Sequence, residues 1–62
     1  GQLGFDIIQK AVMSRIGMIV GIGAPTSLAL DLAKNVDITL IGFIKKNKYN
    51  VYTGAWRIRE RV

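Results

Sequence analysis

The sequence contains no cysteine and no histidine among its 62 residues. Their absence excludes disulfide bonds, thiol nucleophiles, imidazole acid–base catalysis and zinc sites built from these side chains. A chain of this length buries only about 60% of its unfolded surface on folding, and small domains usually need a disulfide or a metal in compensation. We therefore expect one small domain with a marginal core.

Long apolar segments are also missing. The longest apolar run, residues 16–24, ends at Pro25 and is much shorter than the about 20 residues that a membrane-spanning helix requires. We therefore expect no membrane partner. The lack of cysteine is typical of proteins in a reducing compartment, so we expect a cytoplasmic location.

The formal net charge of +5 is concentrated towards the carboxyl end. Basic and acidic residues balance each other up to Ile44. Beyond it, Glu60 is the one acidic residue among six basic ones, Lys45, Lys46, Lys48, Arg57, Arg59 and Arg61. Three aromatic residues lie among them, Tyr49, Tyr52 and Trp56. Because bases interleaved with aromatic rings can bind phosphates and stack on nucleobases, one candidate function is a small basic nucleic-acid-binding module that uses residues 45–61.

The first half of the chain predicts a helix followed by a strand. Apolar residues recur three and four positions apart over residues 5–16, which is helical spacing, and Gly17 is a natural end for that helix. The next segment, Met18–Ile22, is short and apolar on both faces, as is typical of a buried strand.

The second half predicts a helix and two strands. After Pro25, one apolar stripe opposes a polar face, which indicates an amphipathic helix ending near Val36. Residues 38–44 form another strand that is apolar on both faces, and residues 49–53 form a third, joined to it by a polar turn as a hairpin.

The order helix, strand, helix, strand, strand predicts an α/β fold. A strand–helix–strand crossover implies a parallel pair of strands with the helix packed on one face. Two strands that are apolar on both faces need cover on both sides, and two helices can hardly supply it. We therefore expect a slice of a larger three-layer domain.

The turn between the first strand and the second helix is rich in glycine. Gly21, Gly23 and Ala24 stand where a buried strand passes into a helix, a place where a ligand can approach the backbone and where free amides can hold phosphate. The pattern departs from the dinucleotide fingerprint, which has glycine where Thr26 stands here, and the P-loop lysine is missing. The alternative is a tight turn followed by a helix that Thr26 caps.

The acidic residues do not form a catalytic pair. Asp6, Asp31, Asp37 and Glu60 are scattered, and none is at helical spacing from another. We expect Asp31 and Asp37 to be solvated, and a self-contained enzyme is not expected from this chain.

Four motifs follow one another in a defined order and spacing. They are FDIIQKA at residues 5–11, APT with two following LA pairs at residues 24–33, TLIGF at residues 39–43 and NVYT at residues 50–53. In this register they resemble the C-terminal part of the formate dehydrogenase accessory sulfurtransferase family, FdhD. The resemblance covers residues 1–54, and residues 55–62 are interpreted as a basic tail.

The resemblance implies both a fold and a function. It implies a cytidine-deaminase-like α/β fold, a homodimer, and transfer of sulfur from a cysteine desulfurase to the molybdenum cofactor, bis-molybdopterin guanine dinucleotide, which formate dehydrogenase needs. The implied ligand is this cofactor or a guanine nucleotide that resembles part of it. On this interpretation no nucleic-acid partner is expected.

The resemblance also implies a cofactor cleft and shows what this chain lacks. The expected cleft residues are Gly21, Gly23, Ala24, Thr26, Asn50 and Thr53. The cysteine pair that carries sulfur in the family lies upstream of the matching region and is absent here, so this segment holds no persulfide. Gly4 and Gly23 stand where the family usually has serine, and Lys45 replaces an arginine, which keeps the charge but loses the planar fork of donors.

Overall fold

The computed structural model describes residues 3–58 of the chain. It contains two helices, three strands and a short 3-10 helix, in the order α1 (Phe5–Met13), β1 (Met18–Ile22), α2 (Ser27–Asn35), β2 (Thr39–Lys45), β3 (Lys48–Thr53) and α3 (Ala55–Arg57). The predicted order of helix, strand, helix, strand and strand is confirmed, and so is the α/β class. No helix among residues 3–58 is long and apolar enough to cross a membrane.

The three strands form one mixed sheet in the order β1-β2-β3. β1 and β2 are parallel, with Met18 paired to Thr39 and Ile22 paired to Phe43. β2 and β3 are antiparallel, as in the predicted hairpin. The central strand is therefore β2, and the carboxyl ends of β1 and β2 lie at the same edge of the sheet.

α1 ends about one turn earlier than predicted, whereas α2 ends at Asn35, next to the predicted end near Val36. α1 was predicted over residues 5–16 but ends at Met13, because Arg15 adopts a left-handed backbone conformation with φ of 57°. The Ile16 N–H then donates to the Ala11 carbonyl at 2.9 Å. This bond is the mark of a Schellman C-cap, which usually has glycine at the left-handed position. Asp37, with φ of 57°, ends α2 in the same way.

The core lies between the two helices and one face of the sheet. Its buried apolar residues are Leu3, Ile8, Ala11, Ala29, Ala33, Ile38 and Leu40, with Ile19, Leu32 and Tyr52 packed around them. Alanine on both helices lets the backbones approach closely, because a methyl group occupies little space between packed elements.

The opposite face of the sheet has neither α1 nor α2 over it, and the residues of α3 contact it only at the start of β2. Its apolar side chains, here called the open face, are those of Met18, Val20, Ile22, Phe43 and Tyr49. Val20 is 51% exposed, Ile22 73% and Phe43 41%. The strands are thus apolar on both sides but covered on one, as expected for a slice of a three-layer domain.

Candidate functional site

The candidate site lies at the edge where β1 and β2 end. Open α/β sheets bind ligands at the carboxyl ends of their parallel strands. At this edge β1 continues into the glycine-rich turn before α2, and β2 continues into the hairpin turn at residues 46–47. Two loops of different composition therefore lie together at this edge of the sheet.

The glycines of the first loop serve packing more than ligand approach. Gly23 has φ of 86°, and its N–H donates to the Phe43 carbonyl at 2.9 Å, so this amide is already bonded to β2. A Cβ on Gly21 would overlap the Leu3 side chain. The expectation that the Gly23 amide holds phosphate is therefore wrong, because the parallel pairing of the strands uses that donor. Ala24 is exposed on the turn.

Thr26 caps α2, as the structural alternative predicted. Its Oγ1 accepts a hydrogen bond from the Ala29 N–H at 3.1 Å, and its own N–H donates to the Leu3 carbonyl at 3.0 Å. These bonds fix the start of the helix and connect it to the segment before α1. Thr26 therefore has a structural role at the border of the site.

The two residues predicted on β3 lie at different heights of the sheet. Asn50 pairs with Gly42, which in turn pairs with Gly21, so Asn50 is level with the glycine-rich loop. The Asn50 Nδ2 donates to the Tyr52 hydroxyl at 3.4 Å. Thr53 pairs with Leu40 towards the other edge.

The Thr53 side chain is buried, and its hydroxyl donates to the Ile38 carbonyl at 2.7 Å. The structure therefore brings Asn50 to the side of the predicted cleft and leaves Thr53 away from it. The hydroxyl of Thr53 joins β3 to the start of β2 instead of facing a ligand.

Gly42 is a site residue that the sequence analysis did not single out. It is buried, and a Cβ there would overlap the Gly23 carbonyl oxygen and lie 2.8 Å from Cε2 of Tyr52. The loop after β1 thus rests directly on β2, with the Tyr52 ring beside it. The signal was present in the TLIGF motif, where a glycine interrupts an apolar strand, a common mark of close backbone approach.

The hairpin turn contributes a groove that the sequence analysis treated as a solvated turn. A cavity of about 480 Å³ is lined by Ile22, Phe43, Ile44, Lys45, Lys46 and Asn47. Its lining surface is mainly apolar, and Lys45 and Lys46 are among the residues that form it. On the other side of the hairpin, an open cavity of about 540 Å³ is lined by Ile44, Asn47, Lys48, Tyr49, Asn50 and Val51. Ammonium groups beside an apolar wall suit a ligand that carries both a phosphate and a flat ring.

Arg57 lies at the edge of the sheet opposite the hairpin turn. The Arg57 guanidinium donates to the Asp37 carbonyl at 2.8 Å and to Thr39 Oγ1 at 3.0 Å, and it lies 4.1 Å from the centre of the Trp56 ring. The Trp56 Nε1–H donates to the Asp37 carboxylate at 3.0 Å.

Within residues 45–58, the proposed basic surface is therefore divided between two edges of the sheet, with Arg57 bonded to the protein itself. Trp56 and Arg57 were assigned to a basic tail, but they pack against the start of β2. Arg59, Glu60 and Arg61 lie outside the described residues. Between residues 3 and 58, no three acidic side chains are grouped so that they could hold a metal ion.

The fold defines this chain as an α/β unit with a mixed three-stranded sheet. The sequence model of the FdhD/NarQ family matches residues 1–59, and the chain belongs to this family. The match continues past Gly54, where the sequence analysis placed the end of the resemblance.

Curated relatives and a solved structure agree with this assignment. The sulfur carrier protein FdhD of Sulfurisphaera tokodaii is 47% identical over 58 residues, which are 94% of this chain and 23% of the relative. The protein of the same name from Nocardia farcinica is 46% identical over 59 residues, 95% of this chain and 21% of the relative. A crystal structure described as a formate dehydrogenase accessory protein, from Desulfotalea psychrophila, superposes with a TM-score of 0.85 at 32% identity, covering 95% of this chain and 27% of that one.

The chain thus spans about a fifth to a quarter of the length of these relatives, from 21% to 23% of the two sulfur carrier proteins. The superposition shows that its helices and strands keep this arrangement within a longer protein of the family. An activity of the longer relatives is therefore only a proposal for this segment.

Proposed function

We propose that this chain supplies the scaffold and part of the cofactor cleft of an FdhD protein, which sulfurates bis-molybdopterin guanine dinucleotide for formate dehydrogenase in the cytoplasm. Support comes from the family match and from relatives that are named sulfur carriers. The 62 residues contain no cysteine. The sulfur delivered by a cysteine desulfurase is therefore held elsewhere in the protein, and the role of this segment is binding.

The groove between the end of β1 and the hairpin is the observation that carries this proposal. Phe43 and Ile22 give it apolar surface, and Lys45 and Lys46, which also line it, bring positive charge. These groups fit one end of the cofactor, since a phosphate can pair with an ammonium group while a flat guanine ring packs on the wall. When bound, the cofactor would supply the metal that accepts sulfur, and the chain would hold and orient its nucleotide end.

The other predicted cleft residues then have separate roles. Asn50 offers an amide on the second side of the hairpin, and Ala24 borders the turn without a side chain that blocks approach. Gly21, Gly23 and Thr26 build the loop that supports this edge. The homodimer implied by the resemblance is part of the same proposal.

Binding of GDP, the nucleotide closest to that end of the cofactor, tests the proposal. The titration is followed by ¹⁵N-HSQC shifts, with Lys45 and Lys46 both replaced by alanine in the variant chain. Loss of two ammonium–phosphate pairs should weaken binding by about tenfold or more, which corresponds to about 1.4 kcal/mol. Lys34→Ala is the matched control, because Lys34 lies at the end of α2 and at the opposite edge of the sheet.

We expect shifts at residues 22–24 and 43–50 and an unchanged affinity for the Lys34 variant. Equal affinity of the parent and the double variant would refute the assignment of the groove. A gain of affinity for any oligonucleotide over GDP, lost steeply as salt rises, would instead favour the nucleic-acid module.

A further inference from the structure

Tyr52 lies at an irregular point of β3, close to the candidate site. The β2 residue Leu40 pairs with Thr53, and the residue after Leu40 already pairs with Val51. Tyr52 is thus the extra residue between two successive pairs, which is a β-bulge. Bulges change the direction of a side chain and are over-represented next to active sites. Here the half-buried Tyr52 ring packs against the core, on the helical side of the sheet.

The Tyr52 ring shares this side of the sheet with a polar, exposed neighbour. A Cβ on Gly42 would lie 2.8 Å from Tyr52 Cε2 and would overlap the Gly23 carbonyl oxygen, so the ring lies beside the glycine-rich loop. Asn50 pairs with Gly42 from the next strand and is exposed. Its Nδ2 donates to the Tyr52 hydroxyl at 3.4 Å, which places the two polar groups together on the helical side.

The bond between Asn50 and Tyr52 determines what each group can offer a ligand. Because the Tyr52 hydroxyl oxygen accepts from Asn50 Nδ2, the phenol proton is left to donate to another group. The Asn50 Oδ1 is an acceptor. The pair therefore presents an O–H donor beside an amide oxygen acceptor at the carboxyl edge of the sheet.

A flat ring with a carbonyl oxygen next to an N–H group is complementary to this pair. Guanine has this order, because its O6 accepts while the adjoining N1–H and 2-amino groups donate. Adenine has the reverse order, since its 6-amino group donates and its N1 accepts. Pterin rings carry the same 2-amino-4-oxo edge as guanine. On either ring the Tyr52 hydroxyl would donate to the carbonyl oxygen, and Asn50 Oδ1 would accept from the N–H.

We propose that Asn50 and Tyr52 recognise the 2-amino-4-oxo edge that guanine and pterin rings share. The inference rests on the proposed function, which brings the cofactor to this edge of the sheet. Phe43 packs on Tyr49 on the open face, with ring centres 5.6 Å apart, whereas the pair lies on the helical side. The pair therefore binds a different ring from the one that packs on Phe43, and bis-molybdopterin guanine dinucleotide contains both ring types twice.

A ¹⁵N-HSQC titration of the chain with GDP, neopterin and ADP tests the proposal, because the Asn50 side-chain amide gives its own signals. GDP and neopterin distinguish the guanine source from the pterin source, and neopterin carries no phosphate. We expect the Asn50 Nδ2 and Gly42 signals to shift with GDP or with neopterin. ADP should bind at these signals at least about tenfold more weakly than the ring that shifts them.

Tyr52→Phe removes the hydroxyl but keeps the ring that lies beside Gly42. It should weaken the binding measured at the Asn50 signals by about fivefold and reduce the discrimination against ADP. Ser14→Ala is the control, because it removes an exposed hydroxyl at the end of α1 and should change neither quantity. Circular dichroism of both variants should match the parent chain.

Three results would overturn the inference. They are Asn50 signals that neither GDP nor neopterin shifts, an ADP affinity at these signals equal to that of the bound ring, and an affinity that Tyr52→Phe leaves unchanged.

The same titrations separate this inference from the proposed function. GDP binding that is confined to the groove and depends on Lys45 and Lys46 would support the proposed function and refute the role of Asn50 and Tyr52. Neopterin binding at Asn50, retained in the double lysine variant and without GDP binding in the groove, would support the pair and refute the groove.

Discussion

At the scale of single residues, Thr39 joins separate parts of the chain through two hydrogen bonds of its side chain. It is fully buried at the start of β2, and its hydroxyl donates to the Gly54 carbonyl at 2.7 Å while accepting from Arg57 at 3.0 Å. Gly54 is left-handed, with φ of 64°, and Thr39 occupies the space where a Cβ would lie. One hydroxyl thus holds the chain after β3 against the beginning of β2.

Replacing the Thr39 hydroxyl measures what its hydrogen bonds contribute to the free energy of unfolding. Thr39→Val keeps the shape but removes both hydrogen bonds, and we expect the free energy of unfolding to fall by about 1–3 kcal/mol. Urea denaturation followed by circular dichroism gives the change. Arg57→Met should be non-additive with it, because the two substitutions remove one shared bond. A loss below about 0.5 kcal/mol, or full additivity, would contradict the role given to Thr39.

At the scale of elements, the two helices share one kind of ending. Each is closed by a Schellman bond across a left-handed residue, which is Arg15 after α1 and Asp37 after α2. For a residue with a Cβ this conformation costs about 1–2 kcal/mol relative to right-handed backbone. The tertiary structure imposes both endings, since each helix must turn back at once to start the next strand.

Glycine at the first of these positions should relieve the strain. Arg15→Gly is expected to raise the free energy of unfolding by about 0.5–1 kcal/mol, because glycine adopts positive φ without a steric penalty. Gln9→Gly is the matched substitution inside α1, exposed and helical, and should lower stability by about 1 kcal/mol. Thermal unfolding of both variants gives the comparison, and a change of the same sign in both would contradict the assignment of strain.

The elements also show which parts of the fold the local sequence pattern predicts. The bounds of β1 match the prediction, because the run of apolar residues between Gly17 and the turn is a local signal. The early end of α1 at Met13 was missed, since Arg15 gives no sign of left-handed backbone. For a different reason, the sequence did not show that the Gly23 amide and the Thr53 hydroxyl are bonded within the protein. Their partners, Phe43 and Ile38, are distant in sequence and become known only from the strand register.

At the scale of the whole molecule, β2 is the element on which the others depend. It pairs with β1 on one side and with β3 on the other, so Ile41 and Gly42 have neighbours across both ladders. β1 is bonded on one side within the described residues. Stability against local opening should therefore be unequal across the sheet.

Amide hydrogen exchange should show this inequality directly. We expect the slowest exchange at Ile41 and Gly42, and about every second amide of β1 to exchange much faster, because alternate amides of an edge strand point away from its neighbour. NMR-detected exchange of the folded chain measures each site. Uniform protection along Met18–Ile22, equal to that of β2, would contradict the strand order.

The parallel pairing of β1 with β2 affects when β1 can fold during synthesis of the chain. Met18 pairs with Thr39, about 20 residues further along the chain, with all of α2 between them. Ribosomes add about 5–20 residues per second, so β1 waits roughly 1–4 s for its partner during synthesis. Through that interval an apolar strand leaves the ribosome with no companion on either side, and a nascent-chain chaperone has its longest opportunity to bind there.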